Sequence, residues 1–299
     1  MRMCTYQNPI PNQWTRRSLL KAAGLGALAW RFPGELIAAS AGKIPIAVQL
    51  YSVRADCGEN FDDALAQIAR MGFKGVEFAG YYTYDGKPKE LRKKLDRLKL
   101  KVAGTHIDTR FIRGEALKST IDFHKTIGCK YLIVPSDRDF THPERSKALA
   151  ETFNQAAQIL KPLGMACGAH NHTAEFRKDG DKTYWDLFAE RTSKDVILQQ
   201  DCGWTATAGL DPVEFIKKYP GRTRTAHFKP AVVGGDTSKK AILGQDSVDW
   251  TAVAAACAAV GKTEWFIVEQ ETYPDDRPPM ECTAQSLAGL KRILGAMPR

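Results

Sequence analysis

None of the seven cysteines forms a CxxC pair or a zinc-ribbon spacing, which excludes a cysteine-built zinc centre of that kind. Cys129, Cys167 and Cys257 stand in apolar surroundings and read as buried thiols that act as small hydrophobes. Cys202 reads as filler rather than as a nucleophile, and spacing alone leaves a disulfide open. There is no Gly-rich cradle of the kind that holds a phosphate chain. Nor is there a clustered basic face with interleaved aromatics, although the formal charge is +9, so nucleic-acid binding is set aside as a function class. Of that charge +4 falls before Gly42, from Arg2, Arg16, Arg17, Lys21 and Arg31 against Glu35, leaving +5 for the rest. Such a balance allows a modest attraction for anionic substrates and no more. Long hydrophobic runs are also missing. The apolar run Ala22 to Trp30 is too short to span ~30 Å of bilayer core, so no stable membrane anchor is expected.

What is present is an ordinary globular balance, 43% hydrophobic and 26% charged over 299 residues, with enough apolar material for a sizeable core. The first forty residues read as an address. Thr15-Arg16-Arg17-Ser18-Leu19-Leu20-Lys21 precedes the apolar run, and Ala39-Ser40-Ala41 supplies small residues for cleavage. This describes a signal peptide over residues 1–41, and the paired arginines indicate the twin-arginine route. The expected partner there is the twin-arginine export machinery, and the expected location is periplasmic or exported. An amphipathic helix is the rival reading, but residues 22–30 offer no polar face. Export of a protein already folded around its cofactor would suit a metalloenzyme.

After residue 42 the pattern alternates. Strands are expected at 44–52, 75–78, 101–105, 131–135, 165–169 and 196–200, then in a run ending at His227, then at 265–268. Between them lie helical spacings. Phe61, Ala64, Leu65, Ile68 and Ala69 recur on one face before Gly72. Further helices are expected at 89–100, 116–127, 146–163, 184–191, 249–260 and 284–294, with Asp211-Pro212 opening another as cap and first-turn proline. Eight strand–helix alternations in about 250 residues predict an α/β fold, a single (β/α)8 TIM barrel over residues 42–299, with no linker and no second domain. Two connections, 80–88 and 230–248, are longer than the rest, and the second is rich in Gly, Ser and Lys, as a lid would be.

Four successive strand-like runs end in residues able to bind a metal: His170-Asn171-His172, Asp201-Cys202-Gly203-Trp204, His227-Phe228-Lys229 and Glu269-Gln270-Glu271. A parallel barrel brings all its strand ends to one face, so these groups are expected to meet. From the residues alone, His170 and His172 compete for one place in such a site.

The chain resembles the xylose-isomerase-like TIM-barrel family, usually labelled sugar phosphate isomerase/epimerase. The resemblance runs from about Ile46 to Leu294. It is carried by Gly75-Val76-Glu77-Phe78, Gly104-Thr105-His106, Ala169-His170-Asn171-His172 with Glu175-Phe176, Asp201-Cys202-Gly203-Trp204, His227-Phe228-Lys229, Leu243-Gly244-Gln245-Asp246 with Val248-Asp249-Trp250, and Val268-Glu269-Gln270-Glu271. It implies one divalent metal ion held by the ends of the last four strands, here His170, Asp201, His227 and Glu269. His170 is a departure, since the family's epimerases carry a glutamate there. Two imidazoles and two carboxylates suit manganese, cobalt, iron, zinc or magnesium.

The resemblance also implies the chemistry, which is proton abstraction beside a carbonyl of a sugar, with the metal stabilising the enediolate. Glu269 is the expected base. With His170 in place of a second glutamate, the other acid–base group is expected to be His106 or Glu77. Substrate contacts are expected from His172, Glu175, Trp204, Lys229 and Glu271, although the residue after Lys229 is Pro230 where the family usually has an acid. The expected activity is that of a sugar isomerase or epimerase. The alternatives are a lyase cleaving 3-keto-glycosides by β-elimination and a non-catalytic carbohydrate-binding barrel, which metal content would separate from an enzyme. The endonucleases of this fold need more histidines and acids than this chain places. Export argues against a phosphorylated substrate, so a free sugar or keto-sugar is the expected small-molecule partner. Homo-oligomerisation is left open.

Overall fold

Residues 40–297 are described by a computed structural model. The twin-arginine motif and the apolar run after it lie outside these residues. Eight parallel strands close into a barrel: β1 (Ile46–Gln49), β2 (Gly75–Phe78), β3 (Lys101–His106), β4 (Tyr131–Val134), β5 (Ala166–His170), β6 (Ile197–Asp201), β7 (Thr225–Phe228) and β8 (Trp265–Val268). Each pairs with the next in sequence, and β1 closes the ring, with Val48 beside both Val76 of β2 and Val268 of β8. This is the (β/α)8 architecture.

The helices form where capping and periodicity coincide. Asn60 caps the helix Phe61–Met71 by accepting from Asp63 N at 3.1 Å, and Gly72, at φ 94°, ends it in the left-handed conformation that favours glycine. Asp211 accepts from Val213 N at 2.8 Å and Pro212 opens the helix Pro212–Lys218. Apolar faces of the outer helices pack on the barrel in two groups. One gathers Phe61, Phe78, Phe228, Trp250 and Phe266, the other Phe153, Trp185, Phe188 and Leu198.

Some boundaries depart from expectation. The first strand stops at Gln49, because the Gln49 carboxamide oxygen accepts from Tyr51 N at 3.1 Å and turns the chain into the short helix Leu50–Val53. The alanine-rich helix is α-helical only over Trp250–Ala256, then widens into a π turn, Cys257–Gly261. Small elements that were not expected include the helices Arg54–Glu59 and Cys202–Thr207, and a hairpin pairing Lys178–Asp179 with Lys182–Thr183. The six cysteines of the described residues are free and buried. Among the described residues no helix is long and apolar enough to cross a membrane.

Inside the barrel, side chains repeat every second residue and so stack in layers. The bottom is apolar, with Ala47, Tyr131, Ile133, Ile197, Trp265 and Ile267 packed together. Two residues further along the same strands the interior turns polar: Gln49, Gln199 and Glu269 follow Ala47, Ile197 and Ile267. The barrel is thus plugged at one end and carries its chemistry at the C-terminal ends of its strands.

Candidate metal centre

His170 ends β5, Asp201 ends β6, His227 lies in β7 and Glu269 follows β8. Each offers one ligand atom, these atoms lie within 4.8 Å of one another, and all four residues are buried. The four positions expected to hold a metal therefore converge. His106, at the end of β3, forms an overlapping group with His170 and His227. Its ring stacks on that of His227 with centroids 5.3 Å apart and planes 9° apart.

Below this set lies a fully buried polar layer that orients it. Glu77 Oε2 accepts from His227 Nε2 at 2.6 Å and from Gln49 Nε2 at 2.8 Å, while Oε1 accepts from Gln199 Nε2 at 2.7 Å. Gln199 also donates to Thr225 Oγ1 at 2.8 Å. That leaves Gln199 Oε1 as an acceptor for His106 Nε2 at 2.8 Å and His170 Nδ1 at 3.1 Å. The partners assign the ring protons. His227 donates from Nε2 to Glu77 and His170 from Nδ1 to Gln199, so the nitrogens turned toward the carboxylates of the set are His227 Nδ1, 3.0 Å from Glu269 Oε2, and His170 Nε2. These two face Asp201 Oδ2, at 3.8 and 3.7 Å. A carboxylate or carbonyl behind an imidazole, fixing its tautomer, is the usual support for a metal-bound histidine. The room for Glu77 comes from Gly104, where a Cβ would stand 2.8 Å from Glu77 Oε1. The pairing of β2 with β3 also shifts register at Glu77, a local irregularity of the kind that re-aims a side chain.

The electrostatics suit a cation. Asp201 Oδ1 caps the helix Cys202–Thr207 by accepting from Trp204 N at 2.7 Å, but Oδ2 is buried with no partner. Burial and then Glu269 push the Asp201 carboxyl up to about 8 against the pull of Lys229. Burial would lower His227, but Glu77 and Glu269 outweigh it and raise the imidazole to about 10. Burial would raise Glu269, but Lys229 and His227 hold it well below the usual carboxylate range. The orphaned Asp201 Oδ2, the Glu269 carboxylate and the ring nitrogens of His170 and His227 that face them make a mixed N/O donor set that a divalent ion would complete, taking the place of the proton between His227 Nδ1 and Glu269.

A cavity of about 430 Å³ opens above, lined by Tyr51, His106, His170, His172, Glu269 and Glu271 among others. Of the expected substrate contacts, His172 and Glu271 are on this wall. Lys229 forms an ion pair with Glu271 and stands 3.8 Å from Glu269 Oε2, and its ammonium lies 4.9 Å from the centre of the Trp204 ring. Glu175 is buried away from the wall and accepts from His172 N at 2.8 Å, which fixes the loop carrying that histidine. The two residues expected to supply an acid are placed differently from that expectation. Glu77 is wholly enclosed beneath the ligand set, and no substrate atom reaches it. Burial lowers the affinity of His106 for a second proton, so it is neutral, with its one N–H spent on Gln199.

Gln49, Gln199 and Thr225 were not foreseen as site residues. A signal for two of them was present: Gln199 lies two positions before Asp201 and Thr225 two before His227, on the same faces of their strands.

Comparison with known proteins agrees with this fold. A family model described as a xylose isomerase-like TIM barrel matches residues 65–293. The inosose dehydratase of Geobacillus kaustophilus is 24% identical over 255 residues, covering 71% of this chain and 80% of that one. A crystal structure of a sugar phosphate isomerase/epimerase from Parabacteroides distasonis superimposes with a TM-score of 0.70 at 23% identity, over 83% of this chain and 93% of that one. The IOLI protein, solved with a zinc atom bound, superimposes with a TM-score of 0.63 at 13% identity, over 85% and 99%.

Proposed function

The chain belongs to the xylose isomerase-like TIM barrel family, and on that premise we propose a metal-dependent enzyme that removes a proton beside the carbonyl of a non-phosphorylated sugar or keto-sugar. The observation that carries this reading is Glu269. It belongs to the four-residue ligand set and to the cavity wall at once, so the same carboxylate meets both the ion and the substrate.

His170, Asp201, His227 and Glu269 would hold the ion. A divalent cation bound there supplies Lewis-acid polarisation of a carbonyl, which acidifies the adjacent C–H. Glu269 is ionised at neutral pH and takes the proton; a positioned base of this kind typically contributes ~10²–10⁴-fold. His106, neutral with its N–H on Gln199, orients a substrate hydroxyl by accepting its hydrogen bond at the other ring nitrogen, and the proton taken by Glu269 is the one delivered to the leaving oxygen in an elimination. Glu77 is a positioning residue that acts through His227. The shape of the site excludes bulk water from Glu269, which is only 5% exposed.

Between the outcomes open to such a base, β-elimination is favoured over symmetric epimerisation. Epimerisation through two carboxylates needs a second one facing Glu269 across the substrate, and His170 occupies that position. The dehydratase names of the sequence relatives support the same choice. The test is NMR in heavy water with a monocyclic 3-keto-hexose. Reversal of proton removal should place deuterium at the carbon beside the carbonyl in recovered sugar, elimination should turn that carbon into an alkene carbon with release of water, and Glu269→Gln should abolish both. Exchange at the normal rate in that variant would overturn the assignment. The arginine pair at residues 16 and 17 supports an exported, periplasmic enzyme as part of the same proposal.

A further inference from the structure

A second cavity, of about 550 Å³, adjoins the first. Glu271 lines both, and the Lys229–Glu271 ion pair stands between them. Its walls come from Trp204 and Thr207 on one side, from Ala231 and Val232 of the long loop on another, and from Pro274 and Asp275 after β8. The first cavity alone falls within the ~300–1,000 Å³ of ordinary small-molecule sites. A single ring over the ligand set leaves the second cavity unused.

From this arrangement we propose that the second cavity is a subsite for a second sugar ring, so that the substrate is a keto-sugar joined to another ring through a glycosidic oxygen. The inference rests on the sugar reading of the first cavity and adds the class of molecule it takes. Three features select a neutral polyhydroxy ring. The wall is amphipathic, with an indole, two prolines and a valine facing threonine, lysine and aspartate. A pyranose has the same division between its C–H face and its hydroxyl edge. Charge is largely spent, because Lys229 is paired with Glu271 and Lys240 with Asp275 at 2.5 Å, which leaves Lys239, among the described residues, as the one lysine of the wall outside an ion pair. The wall therefore offers hydrogen-bonding edges rather than the concentrated positive charge a phosphate requires. Finally, the wall is preformed. Gln270 Nε2 donates to Ala241 O at 2.6 Å, and Asp246 Oδ2 accepts from Ala231 N at 3.0 Å, so the loop over the cavity is tied to β8 and to itself. A preformed subsite loses little ordering entropy on binding.

The experiment compares two probes, a 3-keto-disaccharide and the methyl glycoside of the same 3-keto ring. Deuterium exchange and steady-state kinetics are followed for the wild type and for two cavity-filling variants, Thr207→Trp and Val232→Trp. Both positions are exposed and line only the second cavity. The wild type should show a KM for the disaccharide at least tenfold below that for the methyl glycoside. Each variant should shrink that ratio at least tenfold. Equal KM values in the wild type, or a ratio that neither variant changes, would overturn the subsite while leaving the proton-abstraction reading intact. Exchange with neither probe would remove that reading, and the subsite with it.

Discussion

Glu77→Gln is the substitution that tests the arrangement beneath the metal centre. It keeps shape and volume and removes one charge. In the native layer all three close partners of Glu77 donate to it: His227 at 2.6 Å, Gln49 at 2.8 Å and Gln199 at 2.7 Å. A carboxamide must turn an NH2 toward at least one of them. Facing Gln199, it forces that side chain to flip, which strips the acceptor from both His106 and His170. Facing Gln49 and His227, it favours the imidazole tautomer protonated at Nδ1, and that proton points at the place where the ion would bind. Either way a ligand nitrogen is lost or misaligned. Loss of an outer-shell partner typically costs ~10–100-fold in metal affinity, or about 1.4–2.7 kcal/mol. The assay is a competitive zinc or manganese titration against a chelator, with thermal unfolding run alongside to confirm a folded barrel. Affinity within twofold of wild type in a folded variant would refute the role assigned to Glu77.

Asp201→Ala should remove the orphan oxygen and leave metal content after dialysis near background; full occupancy in a folded variant would exclude Asp201 as a ligand. His124 tests acid stability. It is held neutral, donating from Nδ1 to Thr120 O at 2.6 Å and hydrogen-bonding Tyr81 Oη through Nε2 at 2.7 Å, and burial pushes its pKa down to about 4. The folded value lies below the ordinary 6.5, so its contribution is fully present above pH 6.5 and is lost as pH falls toward 4. The loss amounts to at most about 3 kcal/mol. Chemical unfolding of wild type and of a Tyr81→Phe, His124→Phe double variant should show a shallower fall over that window in the variant; identical slopes would refute the account. Replacing Arg16 and Arg17 together by lysine should leave an uncleaved precursor in the cytoplasm, and normal export would indicate another route.

Local chemistry was enough to determine much of this protein. Gly72 stops a helix and Asp211-Pro212 opens one, because capping and backbone preference are settled within a few residues. The eight alternations were legible because a strand repeats at two residues and a helix at 3.6. With alternation comes the barrel, and with the barrel comes the expectation that His170, Asp201, His227 and Glu269 share a face. The tertiary structure alone decided what those residues do to one another. Glu77 and His227 are 150 positions apart and meet at 2.6 Å; nothing near Glu77 in the chain distinguishes a proton donor to substrate from a carboxylate locked under a histidine. Gln199 is one of two consecutive glutamines, and only the closed register shows it holding Glu77, His106 and His170 together. That His170 rather than His172 lies over Gln199 and faces Asp201 is likewise a matter of register. Periodicity tells which way a side chain points. What it meets there depends on strand register and closure, and those are set by packing of the whole barrel.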